Sequence, residues 1–381
     1  MKITRLKRSL SPMRFARPRS KPTVHIGFWV ALSASAWTLP VMGAGQGAQG
    51  DAYIQGVQSH AQQAQAQWFE TYADEVQQVI KQQGYVGPEL PIPKAQKVQP
   101  GVYTVVGSFI WGTKQNYGLN NNLSAVIFDQ GVFVYNAGPN PAVAYSFHQQ
   151  IKRLTDQPVK WLAVENNQGH AYLGSSYWWD VGVRHLYSQK TANQNWHRDF
   201  AEDKARYARA RGKAITQSAR DVTEHFTTFE DKKVIDVGGG ETVELYNFGG
   251  GHTESMTGAY VPSRNLLFTG DLGFNERLPG LLHGSNVLAW MRSFERMVAQ
   301  VPEDVTVIPG HGTPTDLATL KAKTYDYFDD LVQKVQAVVD AGGSVQAAEQ
   351  VDQSAYADRV VFEQLAKPNA RSVYETLKQS R

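Results

Sequence analysis

A layered domain of mixed strands and helices, carrying a helical C-terminal appendage, is the fold class this chain predicts. Three observations predict it. Short β-rich runs alternate with helical stretches from Gly101 to Ile308. After the loop Pro309-Gly-His-Gly312 the remainder is helical in pattern. No internal repeat at solenoid periods offers another architecture. With 381 residues, 42% of them hydrophobic and 19% charged, the chain is long enough for one large domain or two smaller ones with a proper core. Low charge and 11% aromatic residues exclude a mostly disordered chain. Cys is absent, which removes disulfides, thiolate metal sites and Cys nucleophiles together.

The first element is a leader. Eight cations, from Lys2 to Lys21, precede the first acid, Asp51. They run into the apolar stretch Ile26–Leu39, then Pro40 and the small residues of Gly43–Ala48. A charged start, an apolar middle and a small-residue exit describe a secretory signal peptide over residues 1–48, cleaved near Ala44–Ala48. Spanning a bilayer as a retained anchor takes roughly 17 or more apolar residues, and this core is shorter and broken by Ser33, Ser35 and Thr38. The expectation is an exported protein, periplasmic or secreted, without a membrane span in its mature part. Removing those eight cations from the 38 basic residues leaves 30 against 35 acidic, a net charge of −5. A body of that sign gives no electrostatic reason to expect nucleic acid.

Residues 49–100 read as an N-terminal helix and a Pro-rich linker. Apolar points at Val57, Trp68, Tyr72, Val76 and Ile80 are spaced for an amphipathic helix over 53–84, and Gly87–Pro93 is a connector. Residues 101–315 form the main domain. Strands are expected at Tyr103–Ile110, Leu123–Phe128, Val132–Tyr135, Trp161–Val164, Arg184–Tyr187, Val243–Tyr246, Gly258–Val261, Leu266–Thr269 and Asp304–Ile308, with a hairpin turn at Asp129–Gly131. Helices are expected at about 140–154 and 198–215; the cations of the latter, including Arg206, Arg209 and Arg211, read as a solvated face. Residues 316–381 form the helical extension, with helices at 315–341, 344–350 and 371–379 separated by Gly342-Gly343 and Pro368.

Chemistry concentrates where a His or Asp follows an apolar run in a Gly-rich loop. These loops are Val164-Glu-Asn-Asn-Gln-Gly-His170, Phe248-Gly-Gly-Gly-His252 with the following Leu266-Leu-Phe-Thr-Gly-Asp271, and Val307-Ile-Pro-Gly-His311. Loops leaving strands at one edge of a sheet converge, so His170, His252, Asp271 and His311 are candidates for a shared site. Three imidazoles and one carboxylate suit zinc or a similar cation. A lone His in a chain with ten is usually a satisfied surface or core group; the combination is what points to a site. Trp111 and Tyr117–Asn122, after the first strand, either flank such a site or form an ordinary turn with a surface aromatic. Tyr177, Trp178 and Trp179 are expected to pack a helix down rather than line the pocket. No G-x-S-x-G elbow and no P-loop is present, so serine hydrolysis and nucleotide-triphosphate chemistry have no support.

Gly251-His-Thr, Leu266–Asp271 and Ile308-Pro-Gly-His-Gly312 resemble, in order and placement, the successive motifs of the metallo-β-lactamase superfamily. The resemblance covers about residues 100–315. It implies an α+β fold, a four-layer αββα sandwich with the metal cleft at one edge of its sheets. The family loop H-x-H-x-D-H corresponds here to Glu165-Asn-Asn167-Gln-Gly169-His170, which keeps only the last His. In family terms His252 serves a first metal, His170 and His311 a second, and Asp271 bridges them. Glu165 and Asn167 replace two His ligands, Gly169 replaces an aspartate, and Asn136 stands where an aspartate behind the ligands is common.

Two readings follow. In one, His170, His311 and Asp271 hold a cation, Zn with Fe or Mn as alternatives, and Glu165 joins His252 as an oxygen donor or acts as general base. The reaction is then hydrolysis of an ester, thioester, lactone or amide in a small-molecule substrate by metal-bound hydroxide. In the other, metal affinity is lost and the pocket persists in a non-catalytic exported binding or accessory protein. A redox role with iron is a third, lesser reading, for which the chain offers no flavin-binding segment. β-Lactam cleavage does not follow from the superfamily name.

Overall fold

The structure, a computed structural model, describes residues 47–67 and 89–380. All but the last two residues of the expected leader, the segment Trp68–Gly84 of the expected N-terminal helix, and Gly87-Pro88 of the connector lie outside the described residues. Within them, no helix is long and apolar enough to cross a membrane.

Thirteen strands among the described residues form two sheets. The first runs β1 (Gln96–Gln99), β2 (Val102–Val105), β3 (Leu123–Phe128), β4 (Gly131–Tyr135), β5 (Val159–Ala163), β6 (His185–Gln189) and β7 (Phe226–Phe229), in that spatial order. β1 to β4 are antiparallel and β4 to β7 parallel. The second has the order β13 (Thr315–Asp316), β12 (Thr306–His311), β11 (Leu266–Phe274), β10 (Met256–Val261), β9 (Glu241–Gly249) and β8 (Lys232–Gly238). Only its β11–β12 pair is parallel.

Side-chain alternation along the strands sorts the apolar residues into three cores. Val126, Phe128, Phe133, Tyr135, Trp161 and Ala163 of the first sheet meet Ile235, Val243, Leu245, Ala259, Val261, Leu266, Phe268 and Ile308 of the second. The residues between them point the other way. Leu123, Ala125, Val132, Val134 and Leu162 pack on helix α2 (Pro141–Leu154) and the short helices after β5. Leu267, Leu272, Phe274 and Val307 pack on helices α4 (Val287–Val298), α5 (Tyr325–Asp340) and α6 (Phe362–Gln379), while α3 (Lys190–Arg211) lies on the first sheet's side. A period of two with both faces apolar is what a strand covered on both sides requires. The layering is therefore αββα, the α+β sandwich that the sequence resemblance implied. Helix α1 (Gly47–Gln67) sends Val57 and Ala61 into the inter-sheet core, and its Gln65 bonds the backbone of Gly107 and Phe109.

Some expectations need correction. Pro368 does not separate helices; it sits inside α6. The hydrogen bond it removes costs about 3 kcal/mol, which burial of Leu365, Ala370, Val373 and Leu377 offsets. The single helix expected over 315–341 is instead broken at Thr324, whose hydroxyl donates to the Phe274 carbonyl and accepts from the Phe274 N–H. That clip stops the helix and fixes the end of β11. The strand expected over Tyr103–Ile110 ends at Val105. β1, β7, β8 and α4 were not anticipated. β8 is an edge strand with Val234 47% exposed, so its pattern lacks the apolar run of a covered strand. In α4, capped by Asn286, buried Trp290, Phe294 and Met297 contribute about 1.5–3 kcal/mol each.

Candidate metal centre

The loops that carry the predicted residues leave one end of the sandwich. β5 runs into Glu165 and the short helix Gly169–Tyr172, which holds His170. His252 sits in the β9–β10 connection, Asp271 within β11, and His311 closes β12. All five side chains are buried, and the three imidazoles converge on the Asp271 carboxylate. His170 Nε2 and His252 Nε2 each lie 3.4 Å from its Oδ2, and His311 Nε2 lies 3.0 Å from its Oδ1. Glu165 Oε1 is 3.2 Å from His170 Nε2, and Glu165 Oε2 accepts from the Asp271 backbone N–H. The tightest set of donors is Glu165, His170 and Asp271, with ligand atoms all within 4.8 Å of one another. It has Glu165 where the sequence reading put His311.

Neighbours fix these groups. The Asn136 amide donates to Glu165 Oε1 at 2.8 Å, and its Oδ1 accepts from the Glu165 N–H at 3.2 Å. An aspartate at 136 would oppose one carboxylate to another; Asn there suits a Glu at 165. Gly270 is required beside it, because its φ is +54° and a Cβ would lie 2.0 Å from Glu165 Oε2. Asn166, rather than Asn167, reaches the centre: its amide donates to Asp271 Oδ2 at 3.0 Å. Gln168 Nε2 lies 3.1 Å from His252 Nε2. Asn167 is half-buried and has no hydrogen bond to these groups. Asn122 donates to the Pro309 and Gly312 carbonyls at 2.8 and 2.7 Å, which shapes the His311 loop. Tyr117 and Asn120–Asn122 are thus buried supports, not a surface turn. Tyr177 and Trp178 pack into the first outer core, as expected.

A close approach explains the missing aspartate. A Cβ on Gly169 would come within 2.6–2.9 Å of the Tyr207 ring. The ring of α3 fills the space a longer side chain needs. The exposed-face reading of this helix holds for Arg206 and Arg209, but the buried Tyr207, the half-buried Arg211 and the inner edge of Arg206 line the cavity over the centre. That cavity, about 120 Å³, is also lined by Trp111, His170, His252, Arg277 and His311. Asp271 and Glu165 are not among its lining residues and lie beneath it. Asn166, Gln168, Tyr207 and Arg277 escaped sequence reasoning; only Asn166 and Gln168, inside the altered loop, carried a local signal.

The protonation states suit a cation. Burial pulls His252 and His311 down to about 4, and lowers His170. All three are neutral imidazoles near pH 7. Burial opposes ionisation of Asp271, but each imidazole favours its carboxylate when it takes up a proton, and the two effects together set the Asp271 pKa below the usual carboxylate range. Burial, and then the charge of Asp271, push Glu165 well above its ordinary value. His311 Nδ1 lies between the Asn120 carbonyl, which accepts, and an Arg277 terminal nitrogen 3.3 Å away, which donates, so its surroundings serve either tautomer. Its Nε2 faces the buried Asp271 Oδ1 at 3.0 Å, a contact that a proton on Nε2 or a cation between the two atoms satisfies. Ligands held about 2.1 Å from a tetrahedral zinc ion stand roughly 3.4 Å apart, the separation seen at Asp271 Oδ2. On that spacing these residues fit a divalent cation.

No family model matches the chain. It is similar to the type 2 metallo-β-lactamase of Bacteroides fragilis, at 29% identity over 75 residues, 19% of this chain and 30% of that protein. The chain thus matches less than a third of that relative's length. Among solved structures it is similar to a metallo-β-lactamase from Pontibacter korlensis, with 19% identity, 60% of this chain and 95% of that one covered, and a TM-score of 0.48. It is also similar to the DIM-1 metallo-β-lactamase, with 19% identity, 62% and 97% covered, and a TM-score of 0.49.

Proposed function

We propose that this chain is an exported, metal-dependent hydrolase acting on an ester, thioester, lactone or amide of a small molecule. Residues 1–48 are its leader, and zinc is the favoured occupant. The observation that carries the reading is the convergence of three buried imidazole nitrogens on the Asp271 carboxylate, at 3.0 to 3.4 Å. His170, Asp271 and Glu165 would hold the ion, with His252 and His311 flanking it. When bound, such a cation supplies acidification of a water and polarisation of a carbonyl oxygen.

The chain's own groups do the rest. The three neutral imidazoles present lone pairs, and each is oriented by what its surroundings allow. Asp271 contributes the negative charge that offsets a dication. Glu165 is a holding residue rather than the general base considered from sequence. Its Oε1 is engaged by Asn136 and His170, its Oε2 by the Asp271 N–H, and it does not line the cavity. Tyr207, by filling the space beside Gly169, supports one ion rather than two. The Trp111 and Tyr207 rings narrow the cavity and restrict water at the centre.

Metal analysis of the full chain, purified without chelator, tests this. The expected result is about one ion per chain, lost in both His170→Ala and Asp271→Ala, because removal of a ligand costs far more than the roughly 10–100-fold of a supporting residue. Less than about a tenth of an equivalent after Zn, Mn or Fe(II) is added back overturns the reading and leaves a binding protein.

A further inference from the structure

The basic wall of the cavity has no role in the reading above. Arg206 is paired with Asp203. Arg211 and Arg277 have no carboxylate partner among the described residues, although the centre they overlook is buried. Arg277 is 3% exposed and lies over the Trp111 ring, 4.4 Å from its centroid. One of its terminal nitrogens is 3.3 Å from His311 Nδ1 and 3.4 Å from the Ile110 carbonyl; its Nε is buried without a partner. Arg211 stacks on Tyr207 at 3.5 Å and lies against Gly112, where a Cβ would come within 2.7 Å of its Nε. Its Nη1 is likewise buried without a partner.

Aromatic faces and a glycine hold both guanidiniums in place, so their unused N–H groups do not arise from loose side chains. Two cations sharing one wall repel each other. An arginine keeps its charge near neutral pH even where it is buried. Asp271 beneath the cavity attracts Arg277, but neither guanidinium forms an ion pair with a carboxylate among the described residues. Arginine forks match planar and tetrahedral oxyanions through paired N–H donors. A carboxylate cancels one of the two charges. A phosphate or sulfate ester group carries about −1 to −2 and has three free oxygens to share between two forks.

We propose that Arg211 and Arg277 form an anchoring site for a tetrahedral oxyanion, so that the substrate bears a phosphate or sulfate group. The identity of the bond cleaved rests on the hydrolase reading; the anion site rests on the arginines alone. The group binds without reacting and sets which end of the substrate lies over His170, His252 and His311.

The test is titration of the full chain, treated with chelator and dialysed, with inorganic phosphate, sulfate and acetate, read by calorimetry and by Trp fluorescence. With no metal present, only the protein offers anion contacts. The expected result is saturable binding of phosphate or sulfate, weakened at least about tenfold in Arg211→Gln and in Arg277→Gln. Arg209→Gln removes the same charge from an exposed position on the same helix and is expected to leave binding unchanged. Whichever of phosphate and sulfate binds more tightly names the group. Should Arg277→Gln fail to fold, Arg211→Gln, at a half-buried position, decides alone. No saturable binding, equal binding by Arg211→Gln, or acetate binding as tightly as both tetrahedral anions overturns the proposal. The outcomes separate cleanly: phosphate binding by a chain that never holds metal sinks the hydrolase reading alone, and metal without anion binding sinks this one alone.

Discussion

His148 and His311 are both buried, His311 the more deeply, and burial brings each down to about 4. Their surroundings differ in kind. His148, on α2, has its Nδ1 2.8 Å from the Tyr177 hydroxyl and packs against the Trp178 ring. A hydroxyl donates or accepts as needed, so this imidazole is satisfied in its neutral form. His311 has Nδ1 between the Asn120 carbonyl and an Arg277 nitrogen, and Nε2 turned to a carboxylate oxygen. Burial and a depressed pKa therefore do not distinguish a structural histidine from a ligand. The partner does: a neutral, adaptable hydroxyl in one case, a carboxylate met by three imidazoles in the other.

If that contrast is right, metal should act on one region only. Excess Zn at about 100 times its dissociation constant is expected to stabilise the full chain by about 2.7 kcal/mol. Asp271→Asn should abolish that gain, because the amide cannot supply the charge, while His148→Gln should keep it. Thermal unfolding with and without Zn measures both. Equal stabilisation of wild type and Asp271→Asn would show that the ion sits elsewhere.

The same contrast marks how far the sequence could be read. Spacing and apolar alternation located most strands, because a strand covered on both faces leaves an unbroken apolar run. Edge strand β8 and helix α4 lacked that signal or were masked by the loop Leu278–Asn286. At the site, His170, His252, Asp271 and His311 were legible because each follows a strand in a Gly-rich loop. Glu165 was legible as a replacement, but its commitment to Asn136 and the Asp271 N–H was not, since those partners lie 29 and 106 positions away. Tyr207, Arg211 and Arg277 come from a helix and a loop whose local pattern is that of a solvated surface. The packing of α3 onto Gly169 turns Tyr207 inward, with Arg211 stacked on it, and the Trp111 ring holds Arg277.

The second prediction concerns pH. The His148 ring is bound neutral, so its folded pKa, about 4, lies below the ordinary 6.5. The unfolded chain then takes up more protons as pH falls, and stability is lost from about 6.5 down to 4 and is flat below. Desolvation is the larger cause and Lys152 the smaller. With an allowance for solvent reaching part of the ring, the loss is on the order of 2 kcal/mol. The three site imidazoles lose stability in the same direction, so the quantity to measure is the difference between wild type and His148→Gln. Urea unfolding at pH 7 and pH 4.5 should show the variant losing less stability than wild type by about that amount; identical losses would mean the ring is already charged or already wet.

The smallest expected effect lies where the two regions of the first sheet's outer side meet the site. Gly169 faces the far edge of the buried Tyr207 ring, at 2.6 to 2.9 Å from a Cβ placed there. Gly169→Ala should cost about 1 kcal/mol, near the lower limit for overpacking. The ring must shift, and Arg211, stacked on it at 3.5 Å, must shift with it. The test is a divergence between two readouts of one variant: unfolding midpoint nearly unchanged, phosphate affinity reduced several-fold. If stability and anion binding fell in proportion, Tyr207 would be ordinary core. A loss confined to the anion would make it the ring that aims a guanidinium.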